Sequence, residues 1–375
     1  MKNISLFEPN ITNLEKKMVL KSLEKNQIST HGYFTSLFEK EAKKITKSKY
    51  NLAVNSGSSG LLVALKTLGI KKDEIIITQS YTFAATTNAI MLNGSIPLLL
   101  DISPKTLNID LIQLEKFLVT KTYKKNNQTF HKKSKKKISC ICLVFTLGII
   151  PDLKKINALS KKYKLKIIFD AACAFGHYYN NISLTKFCDI AVYSFNGNKN
   201  FTTGGGGLIC TEKKGYYSFS KQYSENGKKN TYEYRMSGFN LKMNSINAAL
   251  GLAQIKRIKS ITKNKIRINK IYKENLKKIK LFDTKYSWGD YLPWMNFCLI
   301  KNKIFLKKII QKLKKSKIIS NIFWIPMHKQ LTKNNYILTN FSNTDYLYER
   351  ILVLPSSTNL NPKIIKKISY IINKL

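Results

Sequence analysis

Short apolar runs alternate with segments of helical spacing along the first two thirds of the chain. A strand over residues 51–54 leads through a Gly/Ser turn into a helix that begins near Ser58, and the runs EIIITQS, IPLLLDI, ISCICLVFT, LKIIFD and CDIAVYSF each predict a further strand. Between them, segments such as PDLKKINALSKKYK have the apolar spacing of an amphipathic helix. The alternation predicts an α/β fold in which helices cover a mostly parallel sheet.

The pattern changes near Asn247. The segment NAALGLAQIKRIKSITKNKIRINKIYKENLKKI predicts one long helix, and apolar segments (WMNFCLI, NIFWIPM, RILVLPSS) then alternate with charged helices. We therefore expect a large domain over residues 1–246 and a smaller α+β domain over residues 247–375, joined rigidly by the long helix. The polar and basic stretch 121–137 is expected to form an exposed hairpin or loop.

The formal net charge of +44 would ordinarily favour nucleic acid or an anionic membrane as partner. The charge is almost entirely lysine, however, and arginine is the residue favoured for bidentate contacts to phosphates and bases. Lysine is also spread over the whole chain together with much isoleucine and asparagine, as A/T-rich codons produce. We therefore expect no nucleic-acid partner, although a basic nucleic-acid-binding or regulatory protein remains an alternative. The chain contains four arginines: Arg235, Arg257, Arg267 and Arg350.

Cysteine, histidine and hydropathy patterns narrow the class further. Cys140 and Cys142 alternate within an apolar run, as in a buried strand, and the six cysteines are expected to be reduced. The four histidines have no ligand spacing, so no metal site is expected. The N-terminus lacks the apolar core of a signal peptide, and no apolar window approaches the ~18 residues of a membrane helix. We expect a cytoplasmic enzyme without a membrane partner.

Lys199 is the first candidate for chemistry. It lies between two predicted buried strands in the loop FNGNKNFTTGGGG, where an α/β sheet presents side chains at its carboxyl edge. Apolar strands on both sides can partly desolvate its amine, as Schiff-base chemistry requires. The alternative is that Lys199 is one more solvated lysine.

Two other segments supply groups that would complement such a lysine. In NSGSSG, residues 55–60, a strand, a glycine turn and a helix start present backbone N–H groups to an anion such as phosphate, although an ordinary capped helix is equally compatible. Asp170 ends the strand KIIFD and either caps a turn or meets a ligand cation such as a pyridinium nitrogen. Along the chain, the NSGSSG turn is followed by the aromatic segment YTFAATTNAI, then by Asp170, Ser194 and Lys199. This order is typical of a pyridoxal-phosphate (PLP) enzyme.

Longer motifs identify a family. DAACAFG resembles DAAxxxG, SFNGNKNFTTGGGG resembles SFxxxKxxTTGEGG, and GFNLKMNSINAALGLAQIKRI resembles GYNYRMxxxxAAxGxxQxxxL. The chain is thus similar over nearly its whole length to the DegT/DnrJ-type nucleotide-sugar aminotransferases, and most similar to the branch that serves legionaminic acid and bacillosamine synthesis. The resemblance implies an aspartate-aminotransferase-like fold (PLP fold type I). It has a mostly parallel seven-stranded sheet in the large domain and a smaller α+β C-terminal domain.

The resemblance also implies roles for single residues. Lys199 would form the Schiff base with PLP and move the proton between cofactor and sugar. Asp170 would hold the ring nitrogen protonated, and Phe83 would stack on the ring. Ser194 would add a hydroxyl. Asn240 would reach the phosphate from the other subunit, which makes a homodimer with shared sites necessary for activity.

The phosphate itself would be held by the turn after the first strand, through Gly57, Ser58 and Ser59. Cys173 stands where the family usually has Gln, Glu or His near the cofactor's 3-hydroxyl group, although a thiol is a poor hydrogen-bond partner. Four further residues depart from the family motifs, and substrate contacts there are expected to differ: Phe145, Ile149, Gly205 and Lys242.

The expected reaction is transamination. L-glutamate would donate an amino group to a 4-keto-6-deoxy sugar nucleotide, with UDP as the expected carrier, in surface-glycan or nonulosonic acid synthesis. One alternative within the same fold is a PLP-dependent sugar dehydratase, in which a histidine typically replaces the lysine, so Lys199 opposes it. His328 is either a substrate contact or a structural residue, and we expect the structural role.

Overall fold

A computed structural model describes residues 3–289, 294–330 and 336–375. The strands are β1 Tyr50–Val54, β2 Ile75–Gln79, β3 Ile96–Leu100, β4 Thr122–Lys125, β5 Gln128–His131, β6 Lys137–Val144, β7 Lys166–Asp170, β8 Ile190–Ser194, β9 Gly207–Thr211, β10 Lys228–Asn230, β11 Glu233–Tyr234, β12 Asn296–Leu299, β13 Asn321–Ile322 and β14 Ile351–Leu354. The helices are α1 Asn13–Glu24, α2 Tyr33–Thr46, α3 Gly57–Thr67, α4 Ala84–Leu92, α5 Leu111–Lys121, α6 Leu153–Tyr163, α7 Lys214–Ser224, α8 Ser245–Lys256, α9 Ile258–Asn275, α10 Lys303–Lys315, α11 Met327–Gln330, α12 Ser342–Tyr348 and α13 Pro362–Asn373.

The large sheet has the strand order β1-β9-β8-β7-β6-β2-β3. Adjacent strands along this path are parallel, except that β9 runs antiparallel to both β1 and β8. This arrangement confirms the predicted mostly parallel sheet. The path contains the expected seven strands, but β5, paired with β6, and β4, paired with β5, bring the sheet to nine strands.

Both faces of this sheet are buried, and the side chains alternate between them. In β2, Ile75 and Ile77 join the core under α2, α5, α6 and α8, whereas Ile76 joins the core under α3, α4 and α7. Cys140 and Cys142 of β6 both belong to the second core, as a strand period of two requires. The predicted buried C-x-C strand is therefore confirmed, and all six cysteines are unpaired.

A second, smaller sheet has the order β12-β14-β13 and is antiparallel. Helices α9, α10 and α13 cover it with fully buried side chains such as Ile268, Ile309 and Ile368. This small sheet and helices α9, α10 and α13 thus form an α+β unit, as the sequence predicts.

The prediction of one long helix after Asn247 is wrong. Helix α8 ends at Lys256 and α9 begins at Ile258, with the Arg257 backbone (φ −100°, ψ 3°) outside the helical region. Helix α8 packs on α1 and α2, whereas α9 packs on α13. The two helices therefore contribute to different hydrophobic cores. Helix α8 spans the domain boundary that the sequence predicts between residues 246 and 247. The boundary itself stays a prediction.

The basic stretch 121–137 forms the hairpin β4–β5. Asn126 and Asn127 at its tip both have positive φ, which matches the twist of a tight two-residue turn. Strand β5 also pairs with β6, and Thr129 and His131 are buried. The predicted hairpin is confirmed, but it is only partly exposed to solvent.

Candidate active site

The carboxyl edge of the large sheet brings the candidate residues together. Strands β7 and β8 are parallel neighbours that end at Asp170 and Ser194. Strand β1 ends at the turn into α3, and Lys199 lies in the loop from β8 to β9. Side chains from four separate segments therefore meet at one edge, as in other open α/β sheets.

A cavity of about 360 Å³ lies at this edge. Residues predicted from the sequence line it on several sides. They are Gly57, Ser58, Phe83, Asp170, Cys173, Ser194 and Lys199.

The start of helix α3 forms one end of the cavity. Ser56 caps the helix, since its Oγ accepts a hydrogen bond from the Ser59 N–H at 3.0 Å. The first N–H groups of a helix have no carbonyl partner within it, so those of Gly57 and Ser58 are suited to an anion. A Cβ atom at Gly57 would lie 2.9 Å from Cβ of Ser194, so the turn needs glycine there to approach β8.

Asp170 also lines the cavity and is only 6% exposed. Its Oδ2 accepts a hydrogen bond from the Thr86 hydroxyl at 2.6 Å, and its Oδ1 accepts one from the Ala172 N–H at 3.2 Å. Burial raises the pKa of Asp170, while the bond from Thr86 and the charge of Lys199 act in the opposite direction. A cationic ring nitrogen in the cavity would stabilise the ionised carboxylate further.

Lys199 makes two contacts in the cavity wall. Its Nζ donates to Sγ of Cys173 at 3.1 Å and lies 4.3 Å from the ring centroid of Trp294. Burial raises the pKa of the Cys173 thiol, and the nearby Lys199 charge partly offsets this rise. Cys173 thus contacts the amine directly, which its position in the DAACAFG motif does not reveal.

Aromatic side chains from the C-terminal segments close the cavity, and they are absent from the set predicted by sequence. Trp294, Phe323 and Trp324 line it, and the rings of Trp294 and Trp324 are stacked with centroids 6.3 Å apart. Phe83 lies 6.5 Å from Trp324 and is 61% exposed. The available signal is that two of the three tryptophans occur in the short apolar segments WMNFCLI and NIFWIPM.

Two predicted cofactor residues do not line this cavity. The Ser59 hydroxyl lies 2.9 Å from the Ser56 hydroxyl and 2.5 Å from Oδ1 of Asn55, so it serves the helix cap. Asn240 lines a different hollow of about 240 Å³, together with His31 and Lys242. Its predicted contact with the cofactor of a second subunit stays a prediction.

The positions that depart from the family motifs have different surroundings. Phe145 and Gly205 line the cavity, and a Cβ at Gly205 would meet no atom within 4 Å. Ile149 is fully buried. Lys242 forms an ion pair with Glu225 at 2.8 Å, in which both side chains are largely buried.

His328 belongs to a packed network outside the cavity lining. Its Nδ1 lies 2.6 Å from the Ser80 hydroxyl, its Nε2 lies 3.1 Å from Oδ1 of Asp345, and its ring stacks on Phe341 at 4.1 Å. These contacts on both ring nitrogens and one ring face favour the structural interpretation of His328.

The donors and acceptors in the cavity fit the parts of pyridoxal phosphate. The amine of Lys199 suits the aldehyde, the buried Asp170 carboxylate suits the ring nitrogen, and the start of α3 suits the phosphate. None of the helices in the described residues has the length and apolar character that a membrane crossing requires. The same residues contain no group of three or more His, Cys, Asp or Glu side chains placed to hold a metal ion.

Comparison with known proteins agrees with this geometry. The model of the DegT/DnrJ/EryC1/StrS aminotransferase family matches residues 9–373. GDP-perosamine synthase of Escherichia coli O157:H7 is 31% identical over 278 residues, which are 74% of this chain and 72% of that enzyme. UDP-4-amino-4,6-dideoxy-N-acetyl-beta-L-altrosamine transaminase of Helicobacter pylori is 26% identical over 389 residues, covering 100% of this chain and 98% of that one.

A solved structure shows the same fold. PseC of Helicobacter pylori, an aminotransferase involved in the biosynthesis of pseudoaminic acid, matches with a TM-score of 0.87 at 24% identity, over 100% of this chain and 99% of that chain. The fold and the site define a PLP-dependent aminotransferase of fold type I. The chain belongs to the DegT/DnrJ/EryC1/StrS aminotransferase family and is a sugar aminotransferase.

Proposed function

We propose that this enzyme transfers an amino group from L-glutamate to C4 of a 4-keto-6-deoxy sugar nucleotide, with UDP as the carrier, in surface-glycan or nonulosonic acid synthesis. The observation that carries the proposal is one cavity that contains the Lys199 amine, the buried Asp170 carboxylate and the start of α3. The names of the relatives support a sugar nucleotide as acceptor, and they include both GDP and UDP sugars. The UDP carrier is therefore the narrower part of the proposal.

Each residue has a physical role in this reaction. Pyridoxal phosphate, when bound, supplies an electron sink for the charge left by proton removal. Asp170 would keep the ring nitrogen of the bound cofactor protonated, and the N–H groups of Gly57 and Ser58 would hold its phosphate. The Lys199 amine would anchor the cofactor at rest and would deliver a proton to C4 of the sugar.

The aromatic side chains that line the cavity are expected to affect which sugar the enzyme prefers. Trp294, Phe323 and Trp324 present apolar surface to the cavity beside Lys199. Such a wall favours a sugar with a methyl group over one with a hydroxymethyl group, because an unpaired hydroxyl loses its hydrogen bonds to water. It also limits the access of water to the reacting atoms.

The assembly is proposed to be a cytoplasmic homodimer with shared sites. Asn240 lies outside the Lys199 cavity, and the segment before it exposes Tyr232 (88%), Tyr234 (58%) and Phe239 (56%). Exposed aromatic side chains of this kind are enriched in protein interfaces. A second subunit docked here could receive Asn240 in its own cavity.

The experiment that tests the function is a panel of 4-keto sugar nucleotides incubated with the holoenzyme and glutamate. The panel varies the carrier (UDP, GDP, dTDP) and the C6 group, and mass spectrometry detects the amino sugar. We expect the UDP-linked 6-deoxy sugar to have the highest kcat/KM. No amination of any member would contradict the proposal, and a better GDP or dTDP sugar would contradict only the UDP carrier.

Lys199→Ala is the matched control for the chemistry. The wild-type protein should show the absorbance band of bound cofactor, and borohydride should fix that cofactor on Lys199, as peptide mapping would show. The variant should lose both the fixed band and transamination, because Lys199 is the one lysine among the described residues that line the cavity. If Lys199→Ala retains both, the assignment of Lys199 is wrong.

A further inference from the structure

Lys265 of helix α9 is a fully buried lysine with 0% exposure. Its Nζ donates one hydrogen bond to the carbonyl oxygen of Trp294 and another to that of Ser356, both at 2.6 Å. It also lies 4.9 Å from the ring centroid of Phe7. Burial lowers the pKa of Lys265 well below its ordinary value, so this amine is held in place at an energetic cost.

Trp294 connects this buried amine to the active site. Its side chain is almost fully buried, and its indole N–H donates to the carbonyl oxygen of Asn198 at 2.7 Å. The face of the same ring lies 4.3 Å from Nζ of Lys199. The backbone of Trp294 thus contacts Lys265, and its side chain contacts the loop that carries Lys199.

Further hydrogen bonds join the same two segments, those of Trp294 and Ser356. The N–H of Asn296 donates to the Ser356 hydroxyl at 2.8 Å, and that hydroxyl donates to the Leu354 carbonyl at 2.8 Å. Lys265 binds the carbonyls of both segments. Two other side chains of α9 reach the same segments, since the Asn269 amide donates to Oδ1 of Asn296 at 2.9 Å and the Tyr272 hydroxyl donates to the Pro355 carbonyl at 3.0 Å. Of the three, Lys265 is the one that bonds the Trp294 backbone itself. The position of the indole ring therefore depends on α9 as well as on the small sheet.

We propose that Lys265 is a positioning residue, which clamps the Trp294 backbone so that the indole ring holds the Lys199 amine and the Asn198 carbonyl in the geometry needed to attach the cofactor. The inference rests on the proposed function of Lys199. It assigns to a lysine of the small unit, outside the cavity, an effect on the reacting amine.

The test compares two measurements on cofactor-free Lys265→Met protein. The first is the rate at which pyridoxal phosphate becomes borohydride-fixed on Lys199. The second is the affinity for 4-deoxypyridoxine phosphate, which has the phosphate and ring but no aldehyde. We expect attachment to slow on the order of tenfold, as displacement of a reacting group does elsewhere. The affinity for the analogue should stay within about twofold, because the Gly57–Ser58 turn is unaffected.

Lys263→Met is the matched control, since it makes the same change at an exposed position of α9. It should change neither measurement. Trp294→Phe keeps a ring but removes the N–H bonded to Asn198, so it should slow attachment in the same way. It also tests the proposal if Lys265→Met does not fold.

The outcomes separate three cases. Slow attachment with unchanged analogue affinity supports the proposal. If Lys265→Met lowers only the thermal stability, or weakens attachment and analogue binding together, Lys265 has a purely structural role and the proposal fails. If the wild-type protein attaches no cofactor at Lys199, the proposed function fails first, whatever the Lys265 variant does.

Discussion

Two buried carboxylates at the carboxyl edge of the large sheet have different partners. Asp101, after β3, accepts backbone hydrogen bonds from Asn343 at 2.8 Å and Thr344 at 2.7 Å, so it caps the start of α12. Asp170, the last residue of β7, also accepts one backbone N–H but lines the cavity that contains Lys199. Two aspartates that look alike in sequence therefore differ in their surroundings, since Asp101 caps a helix and Asp170 lines the cavity.

Asp170→Asn should reduce transamination by at least about a hundredfold, as loss of a preorganised charge does in other active sites. An amide cannot supply the negative charge that keeps the ring nitrogen protonated. The measurement is kcat with the best sugar nucleotide, together with the absorbance spectrum of the bound cofactor.

Asp101→Asn is the control for that prediction. It removes the same charge from a buried strand end outside the cavity, so it should lower stability while leaving the cofactor spectrum as in the wild type. An Asp170→Asn enzyme with normal kcat would contradict the assigned role.

At the scale of residues, the sequence predicted those side chains whose spacing is local. Asp170, Ser194 and Lys199 lie within one strand–loop–strand region, and the structure brings them to one cavity. Trp294 and Trp324 come from distant segments, and their approach depends on how the small unit packs, which no local pattern specifies. For Ser59 the local sequence predicted too much. Its position suits phosphate binding, but its hydroxyl bonds within the helix cap.

At the scale of elements, the break between α8 and α9 depends on a residue of α1. Glu15 is 1% exposed, and its Oε1 accepts hydrogen bonds from Arg257 Nη1 at 2.6 Å and from Gln254 Nε2 at 2.8 Å. Its Oε2 accepts the backbone N–H of Thr12 at 2.7 Å. The apolar period runs on through Arg257, so the sequence predicted one helix. The break follows from packing against α1, a contact across some 240 residues.

Glu15→Gln should lower the free energy of unfolding by about 3 kcal/mol at neutral pH, because it leaves Arg257 with a weaker acceptor in a largely buried site. Burial raises the pKa of Glu15, but hydrogen bonds from Thr12 and Arg257 outweigh it and hold this pKa below its ordinary value of 4.5. A carboxylate of lowered pKa stabilises the fold above its unfolded pKa and loses that contribution as the pH falls. The difference between wild type and variant should therefore shrink below about pH 4.5 in urea unfolding.

Glu274→Gln is the comparison for Glu15. Glu274 and Lys270 of α9 lie 3.8 Å apart with side chains 56% and 76% exposed. The change should stay within about 0.5 kcal/mol, as for other surface pairs. An equal loss in both variants would mean that the buried contacts of Glu15 contribute nothing specific.

At the scale of the whole molecule, the fold class was predictable because it rests on the strand and helix periods, which run through the entire chain. The net charge of +44 was less informative about function, since it is carried almost entirely by lysines that are spread along the whole chain. Such a field still attracts anionic substrates, and sugar nucleotides are anionic. The assembly is the property that a single chain specifies least, because Asn240 and Lys242 line a hollow other than the Lys199 cavity of the same chain.

Shared sites make a prediction that separates a homodimer with exchanged residues from two independent subunits. Lys199→Ala removes the amine, and Asn240→Asp places a negative charge where the partner's cofactor phosphate is expected, so each variant alone should be inactive. In a co-expressed mixture, half of the dimers pair the two variants, and each of these contains one site with both native residues. Activity should therefore return to about a quarter of the wild-type value.

The measurement is transamination by the unseparated mixture and, after isolation with two affinity tags, by the mixed dimers alone, which should have about half of the wild-type activity. Each variant must first elute as a folded protein of the wild-type size. Mixed dimers without activity would contradict a site shared between subunits, and an active Asn240→Asp protein would contradict the phosphate contact of Asn240. Recovery in the mixed dimers would place Asn240 in the cavity of the second subunit, because neither chain alone then supplies both residues to one site.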